Sequence, residues 1–120
     1  MSGLPISEEK ILDSINKAYD RMSIAQRKLW EVIKVSPQKW QQEPYGDEGE
    51  GFWVVAIFGN SVIWFNDIEE GYNTSSYSIF GTINEYRCNQ DELEWQIQNV
   101  INQIKDGYDS AGYSDLVNSN

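Results

Sequence analysis

Six carboxylates in two clusters are the side chains best suited to chemistry in this sequence. One cluster precedes the apolar run 52–58 and the other follows the run 61–65; the members are Asp47, Glu48 and Glu50, and Asp67, Glu69 and Glu70. In a paired-carboxylate hydrolase, the general acid and base would come from Asp67, Glu69, Glu70 or Glu85. That role requires a pKa raised by burial, whereas carboxylates in glycine-bounded turns are normally hydrated. We therefore expect no catalytic residue and no enzyme activity.

The residue types most used for nucleophilic and metal chemistry are scarce. The chain has no histidine, which excludes Ser-His-Asp and Cys-His nucleophile systems and zinc sites with imidazole ligands. Its one cysteine, Cys88, can form neither an internal disulfide nor a thiolate cage, and we predict a small buried hydrophobe in a reducing compartment. The glycines around Asp47 match neither a phosphate loop nor a calcium loop. We expect no metal and no cofactor.

An apolar hairpin is expected to position the two carboxylate clusters. The runs Phe52–Phe58 and Ser61–Asp67 flank Gly59-Asn60, and this pattern predicts a two-residue turn with Phe58 facing Ser61 and Phe52 facing Asp67. Strand alternation then divides the side chains into two apolar faces: Trp53, Val55, Ile57, Val62 and Trp64 on one, and Phe52, Val54, Ala56, Phe58, Ile63 and Phe65 on the other. Because both faces are apolar, both should be covered.

The same hairpin should gather the carboxylates at one end of the sheet, because its open ends lie side by side. Carboxylates within about one Debye length, roughly 10 Å at 0.1 M salt, create a strong negative field. Four aromatic residues are expected to be at least partly exposed: Trp40, Tyr45, Tyr72 and Trp95. Aromatic anchors beside an acidic field suit rapid binding of a basic protein. The predicted partner-binding residues are the six carboxylates with Tyr45, Tyr72 and Trp95.

Amphipathic segments predict helices at both ends of the chain. Ser7 is a candidate N-cap, and a stripe from Ile11 to Val32 predicts one long helix to about Lys34, ended by Ser36-Pro37. Ser23 starts a second capping box, so a break near Ser23 is the alternative. Asn89–Glu92 is expected to cap a last helix that carries Trp95 on its outer face and stops at Gly107.

Three further segments are predicted to be strands: Lys39–Glu43, ended by Pro44, the polar segment Tyr72–Phe80, and Ile83–Cys88. The expected fold is α+β, with an antiparallel sheet of three to five strands centred on the 52–67 hairpin and packed by a long N-terminal helix and a C-terminal helix. We expect a single domain over residues 1–120. Residues 108–120 should form a partly ordered tail, with Tyr113, Leu116 and Val117 as candidate anchors.

The net charge of −10 is unevenly distributed. Residues 1–39 contain seven basic and five acidic residues, whereas residues 40–120 contain two basic and fourteen acidic ones. Such a surface repels nucleic acid and anionic membranes and favours cationic partners, although it would also serve solubility alone. The first residues lack a signal-peptide pattern and no apolar run approaches about 18 residues, so we expect a cytoplasmic protein without membrane contact.

Four features of the whole chain indicate one class of protein. They are its small size, the acidic sheet region Glu43–Glu85, the helix–sheet–helix order and the lack of catalytic residues. The runs Gly51–Ile57 and Trp64–Glu69 are also similar to uncharacterised bacterial proteins. In these respects the chain resembles the small, acidic immunity proteins that bacteria make against toxins. The resemblance implies a non-enzymatic inhibitor of a basic, toxin-like protein and assigns no site residues.

Two other function classes stay open at this stage. One is a binding module whose Trp and Tyr side chains stack on a carbohydrate or another planar small molecule. The other is an adaptor that dimerises through the N-terminal apolar stripe. The sequence does not set the oligomeric state.

Overall fold

The computed structural model describes residues 5–43 and 51–106 and shows an α+β fold. The helices are α1 (Glu8–Arg21), α2 (Ile24–Ile33) and α3 (Leu93–Asp106), and the strands are β1 (Lys34–Trp40), β2 (Phe52–Phe58), β3 (Ser61–Asn66) and β4 (Gly71–Ser76). The strands form one antiparallel sheet in the order β1-β2-β3-β4. The predicted fold class is confirmed.

The N-terminal helical stripe is broken at Ser23, as the alternative prediction had it. Met22 ends α1 in an extended conformation, and the Ser23 side chain accepts a hydrogen bond from Gln26 N while Gln26 Oε1 accepts one from Ser23 N. This capping box starts α2, so one long helix is wrong. Both shorter helices contribute to the core on the sheet, where Ile11, Ile15 and Trp30 are buried with Val55 and Ile63.

Strand β1 begins earlier than the predicted strand Lys39–Glu43. Lys34 is already extended, with φ −62° and ψ 146°, so the chain passes from α2 into β1 without a loop. Pro37 disfavours helical geometry at Ser36 and cannot donate a hydrogen bond, but an edge strand tolerates it. Beyond Trp40 only Gln41 continues, through an isolated bridge to Thr82. Pro44, the predicted strand end, lies outside the described residues.

A β-bulge changes the faces of the central hairpin. Phe58 faces Ser61 as predicted, and the turn residue Gly59 has a φ of +57°. However, Ala56 pairs with Ile63 and Val54 with Trp64, so Val55 is an extra residue without a partner on β3. The predicted register beyond Val55, which paired Phe52 with Asp67, is therefore wrong. The bulge places Phe52 and Val54 on the same face as Val62 and Trp64.

Both faces of the sheet are covered, but by different kinds of structure. The helices cover one face, where Val55, Ala56 and Ile63 join the helical core residues. The other face contains Trp40, Phe52, Val54, Val62 and Trp64, and it is covered by the segment 77–92, hereafter the cover segment. Ile83 is 1% exposed within this second core. The prediction that the hairpin is central and covered on both sides is confirmed.

The cover segment contains no strand, so the predicted strand Ile83–Cys88 is wrong. Its carbonyl groups are bound by side chains of the sheet below. Ser75 Oγ donates to Glu85 O (2.8 Å), Asn66 Nδ2 to Arg87 O (2.9 Å) and Asn73 Nδ2 to Asn89 O (3.1 Å). The predicted strand Tyr72–Phe80 is likewise shorter, because β4 ends at Ser76 and the chain turns to begin the cover.

Substitution of Gly71 by alanine tests the contact between β4 and the cover segment. An added Cβ would lie 2.3 Å from Asn89 O and 2.4 Å from the Gln90 Cα atom, so the backbones must separate. We expect Gly71→Ala to lower the free energy of unfolding by about 3 kcal/mol in urea titrations. The control Gly59→Ala adds its methyl group to open space and should cost only about 1 kcal/mol, from the positive φ. Equal losses would contradict the close contact.

Candidate functional site

The turn between β3 and β4 carries three of the predicted site carboxylates and is held by Asn66. The Asn66 Oδ1 atom accepts hydrogen bonds from Ile68 N (2.9 Å) and Glu69 N (3.1 Å), and Glu70 N donates to Asn66 O (2.7 Å). Glu70 has a φ of +61°, an uncommon conformation for a residue other than glycine. The turn is therefore fixed by its own hydrogen bonds together with the Asn66 contact to the cover segment.

The end of the cover segment lies directly beside this turn. Asn73 Oδ1 accepts a hydrogen bond from Asn89 N (2.9 Å), and Tyr72 N donates to Asp91 O (2.9 Å). These contacts add two carboxylates that the sequence analysis did not place at this end of the sheet. We call the resulting set the acidic corner: Asp67, Glu69, Glu70, Asp91 and Glu92. Arg87, whose carbonyl binds Asn66, contributes a positive charge there.

Asp67 is a structural member of the corner and is poorly accessible. Its side chain is 9% exposed, and its Oδ2 atom accepts a hydrogen bond from Ile6 N (3.1 Å). Burial raises the pKa of Asp67, although the Ile6 hydrogen bond and the charge of Lys39 oppose the rise. The expectation that all three carboxylates of this turn form an accessible patch is therefore wrong for Asp67. Glu69 is partly exposed and Glu70 is exposed.

An ion-pair network neutralises one side of the corner. Arg21 Nη2 lies 2.8 Å from a Glu92 carboxylate oxygen, and Arg21 Nε lies 2.6 Å from Glu94 Oε2. Burial alone would raise the pKa of Glu94, but its hydrogen bond and charge interaction with Arg21 prevail and lower it. By contrast, Glu69 and Glu70 form no ion pair within residues 5–43 and 51–106. Asp91, whose side chain accepts a hydrogen bond from Gln96, also forms no ion pair among these residues.

A pocket of about 450 Å³ opens beside the turn. It is lined by Pro5, Ile6, Ser7, Lys10, Phe65, Asp67 and Glu70. The Asp67 carboxylate is already engaged by Ile6 N, and Lys10 supplies a positive charge at the rim. The pocket combines an aromatic wall with charges of both signs.

The predicted aromatic residues differ in exposure. Trp95 is 60% exposed on the outer face of α3, as predicted. Trp40 and Tyr72 are 1% and 2% exposed, so the predictions of their exposure are wrong. Burial raises the pKa of Tyr72 to about 12, and its hydroxyl forms a 2.9 Å hydrogen bond with Ser14 Oγ. Both residues lie in strands whose two faces are covered, which removes the solvent contact that their polar neighbours indicated.

Four of the predicted site residues belong to the sequence segment 44–50, between β1 and β2. Tyr45, Asp47, Glu48 and Glu50 lie outside the described residues. The structure therefore locates only the second carboxylate cluster, Asp67, Glu69 and Glu70, and the predicted proximity of the two clusters stays a prediction. Gly51, the first described residue after this segment, approaches Trp40 so closely that an added Cβ would lie 2.1 Å from Trp40 O.

Among the described residues, the carboxylates weighed for acid–base chemistry are divided between the pocket beside the turn, which Asp67 and Glu70 line, and the cover segment, which carries Glu85. No group of three or more Cys, Asp or Glu side chains in the described ranges is placed to hold a metal ion. Glu85 accepts hydrogen bonds from Ser76 N (2.7 Å) and Ser76 Oγ, so its carboxylate joins the cover segment to the end of β4. Cys88 is exposed, which contradicts the prediction of a buried hydrophobe. It lies in the cover segment between Arg87 and Asn89, whose carbonyl groups accept hydrogen bonds from Asn66 and Asn73 of the sheet.

Comparison with known proteins gives no relative from which a role could be transferred. The chain matches no protein-family model, and searches of the curated proteins and of the solved structures gave no match. Within the described ranges, no helix has the length and apolar character needed to cross a bilayer.

Replacement of Asp67 by asparagine should change the pH dependence of stability. Because burial raises the folded-state pKa of Asp67 above its unfolded value near 4, its contribution is fully present below about pH 4 and is lost as the pH rises through the folded pKa. Asp67→Asn cannot ionise. We expect the free energy of unfolding of the variant, relative to wild type, to increase from about pH 3 to about pH 7.

The measurement is urea unfolding of both proteins across that pH series. Asp20→Asn is the matched control, because Asp20 is exposed on α1 and its replacement should leave a nearly constant difference. A constant difference for Asp67→Asn as well would contradict the inferred burial of the charge.

Proposed function

We propose that this protein is a non-enzymatic binding protein that uses its acidic corner to neutralise a basic, toxin-like protein, as an immunity protein does. The observation that carries the proposal is the fixed turn that presents Glu69 and Glu70 without an ion pair among the described residues. A turn whose backbone is already fixed before binding loses little backbone entropy on binding. The charges of Glu69 and Glu70 also steer a cationic partner during its approach.

Residues near the acidic corner, and the charge of the whole chain, also support this function. Trp95 lies in the first turn of α3, close in sequence to Asp91 and Glu92, and its exposed indole is the residue type most enriched at binding hot spots. Asp47, Glu48 and Glu50, which precede β2 in the sequence, add three further negative charges to the chain. The net charge of −10 acts in the same direction at longer range.

The small-ligand alternative has less support, because its aromatic platform is largely internal. Trp40, Trp64 and Tyr72 are each at most 2% exposed and contact other rings of the fold, such as Phe80, Phe52 and Phe65. The adaptor alternative depended on a continuous N-terminal stripe. Ile11, Ile15 and Ala18 of that stripe are buried within the fold, and the helix is interrupted at Ser23. We therefore favour the protein-binding function.

A charge-reversal pair tests the corner. We expect Glu69→Lys with Glu70→Lys to slow association with a lysine- and arginine-rich probe peptide about fivefold at low salt, because two steering charges change sign. Asp13→Lys with Asp20→Lys makes the same change in net charge on the exposed side of α1 and should have less than about half that effect. Stopped-flow kinetics at low and high salt measure both.

The same two double variants identify the partner. Used as bait in a bacterial lysate, the wild type and the α1 control should retain a basic protein that the corner variant loses. Equal slowing of the peptide by both variants would show that only the overall charge matters, and the proposed site would be abandoned.

Truncation of Trp95 tests its role as an aromatic anchor. Trp95→Ala should change the free energy of unfolding by less than about 0.5 kcal/mol, because the side chain is exposed. Its affinity for the captured basic protein should fall about tenfold. Ile24→Ala, which truncates a side chain that is 74% exposed on α2, is the control and should bind normally. Unchanged affinity of Trp95→Ala in calorimetry would remove Trp95 from the interface.

A further inference from the structure

An aliphatic groove of about 380 Å³ lies between α2 and α3, away from the acidic corner. Its walls are formed by Ala25, Lys28, Leu29, Ile101, Ile104 and Lys105. Ile104 is 70% exposed although it continues the apolar face of α3 that buries Ile97 and Val100. Within the described residues, the first half of the apolar face of α3 is buried in the core, and its second half is exposed in the groove.

The groove opens toward the end of α3. Arg21 contacts Glu94, Gln26 Nε2 donates to Gln98 Oε1 (3.0 Å), and Leu29 lines the groove with Ile101 and Ile104. Residues later in α2 contact residues later in α3, so the two helices run in the same direction. The chain therefore leaves α3 at Asp106, one residue after the groove residue Lys105.

Two like charges flank the groove. Lys28 and Lys105 are both exposed, and neither forms an ion pair with the described part of the chain. Two cations beside one apolar cleft favour an occupant that is apolar with acidic flanks. A free partner of that kind would be repelled by the net charge of −10, and so would a second copy of this chain.

The segment that follows α3 has the required composition. Residues 107–120 begin with a glycine, the residue type that most readily reverses the chain after a helix, and contain Asp109, Tyr113, Asp115, Leu116 and Val117. We propose that the groove binds Tyr113–Val117 of the same chain, with Leu116 and Val117 between the helices. Asp115, and Asp109 before the bound segment, would lie near Lys28 and Lys105.

Length and tethering favour this occupant over a separate molecule. Ten residues from Asp106 to Leu116 reach at most roughly 35 Å, whereas the groove walls on α3 span only about 6 Å along the helix. A short tether gives an effective concentration on the order of 1 mM, so weak apolar contacts suffice. The tether also holds the acidic segment at the groove despite the overall negative charge.

Methyl NMR of the full-length chain tests the proposal with a neutral paramagnetic reagent that relaxes exposed groups. Leu116→Asp with Val117→Asp should raise the reagent-induced relaxation of the Leu29, Ile101 and Ile104 methyl groups at least about twofold, because the docked side chains no longer shield them. Asn118→Asp with Ser119→Asp adds the same charge outside the apolar anchors and should leave these rates unchanged. Lys28→Glu with Lys105→Glu should expose the same methyl groups.

Each outcome decides the proposal. Relaxation that is equally strong in wild type and in the Leu116/Val117 variant would show an open groove and overturn it. Protection that rises with protein concentration, together with a dimer in sedimentation, would identify a second copy as the occupant and also overturn it. Concentration-independent protection that is lost only in the anchor and lysine variants would support it.

Discussion

The hydrogen bonds from buried side chains of the sheet to the backbone of the cover segment are the constraint on which the structure depends. A segment without helix or strand can cover an apolar sheet face only if its carbonyl groups find partners. Asn66, Asn73 and Ser75 supply those partners at the carbonyls of Arg87, Asn89 and Glu85. The alternating positions 85, 87 and 89 show that the cover is extended and meets the sheet through every second carbonyl.

This arrangement also builds the acidic corner. Asn66 donates to the cover with its amide nitrogen and accepts from the β3–β4 turn with its oxygen, so one buried side chain fixes both neighbours. The turn that carries Glu69 and Glu70 is consequently joined to the segment that carries Asp91 and Glu92. Within the corner the carboxylates have different contacts: Asp67 accepts a hydrogen bond from Ile6 N, Glu92 pairs with Arg21, and Asp91 accepts a hydrogen bond from Gln96. Glu69 and Glu70 form no ion pair with the described residues.

Polar side chains of β4 are buried beneath the cover segment rather than exposed to solvent. Strand β4 is polar and lies at the sheet edge, yet Asn73 and Ser75 are 0% and 2% exposed because they bind the cover segment. Tyr72, which the sequence predicts to be partly exposed, is buried against Ser14 and Phe65. A polar side chain under a backbone segment and one facing water look alike in sequence.

The capping pattern at Ser23 left a helix break only as an alternative, whereas the sequence by itself determined the α+β class, the hairpin with its turn at Gly59 and the outward position of Trp95. Each follows from local periodicity, capping or turn chemistry, which acts over a few residues. Only the tertiary structure decided the bulge at Val55, the start of β1 at Lys34, the path of the cover segment and the burial of Asp67. These depend on which distant backbone groups need partners and which faces need covering, and such demands arise only when the chain is folded.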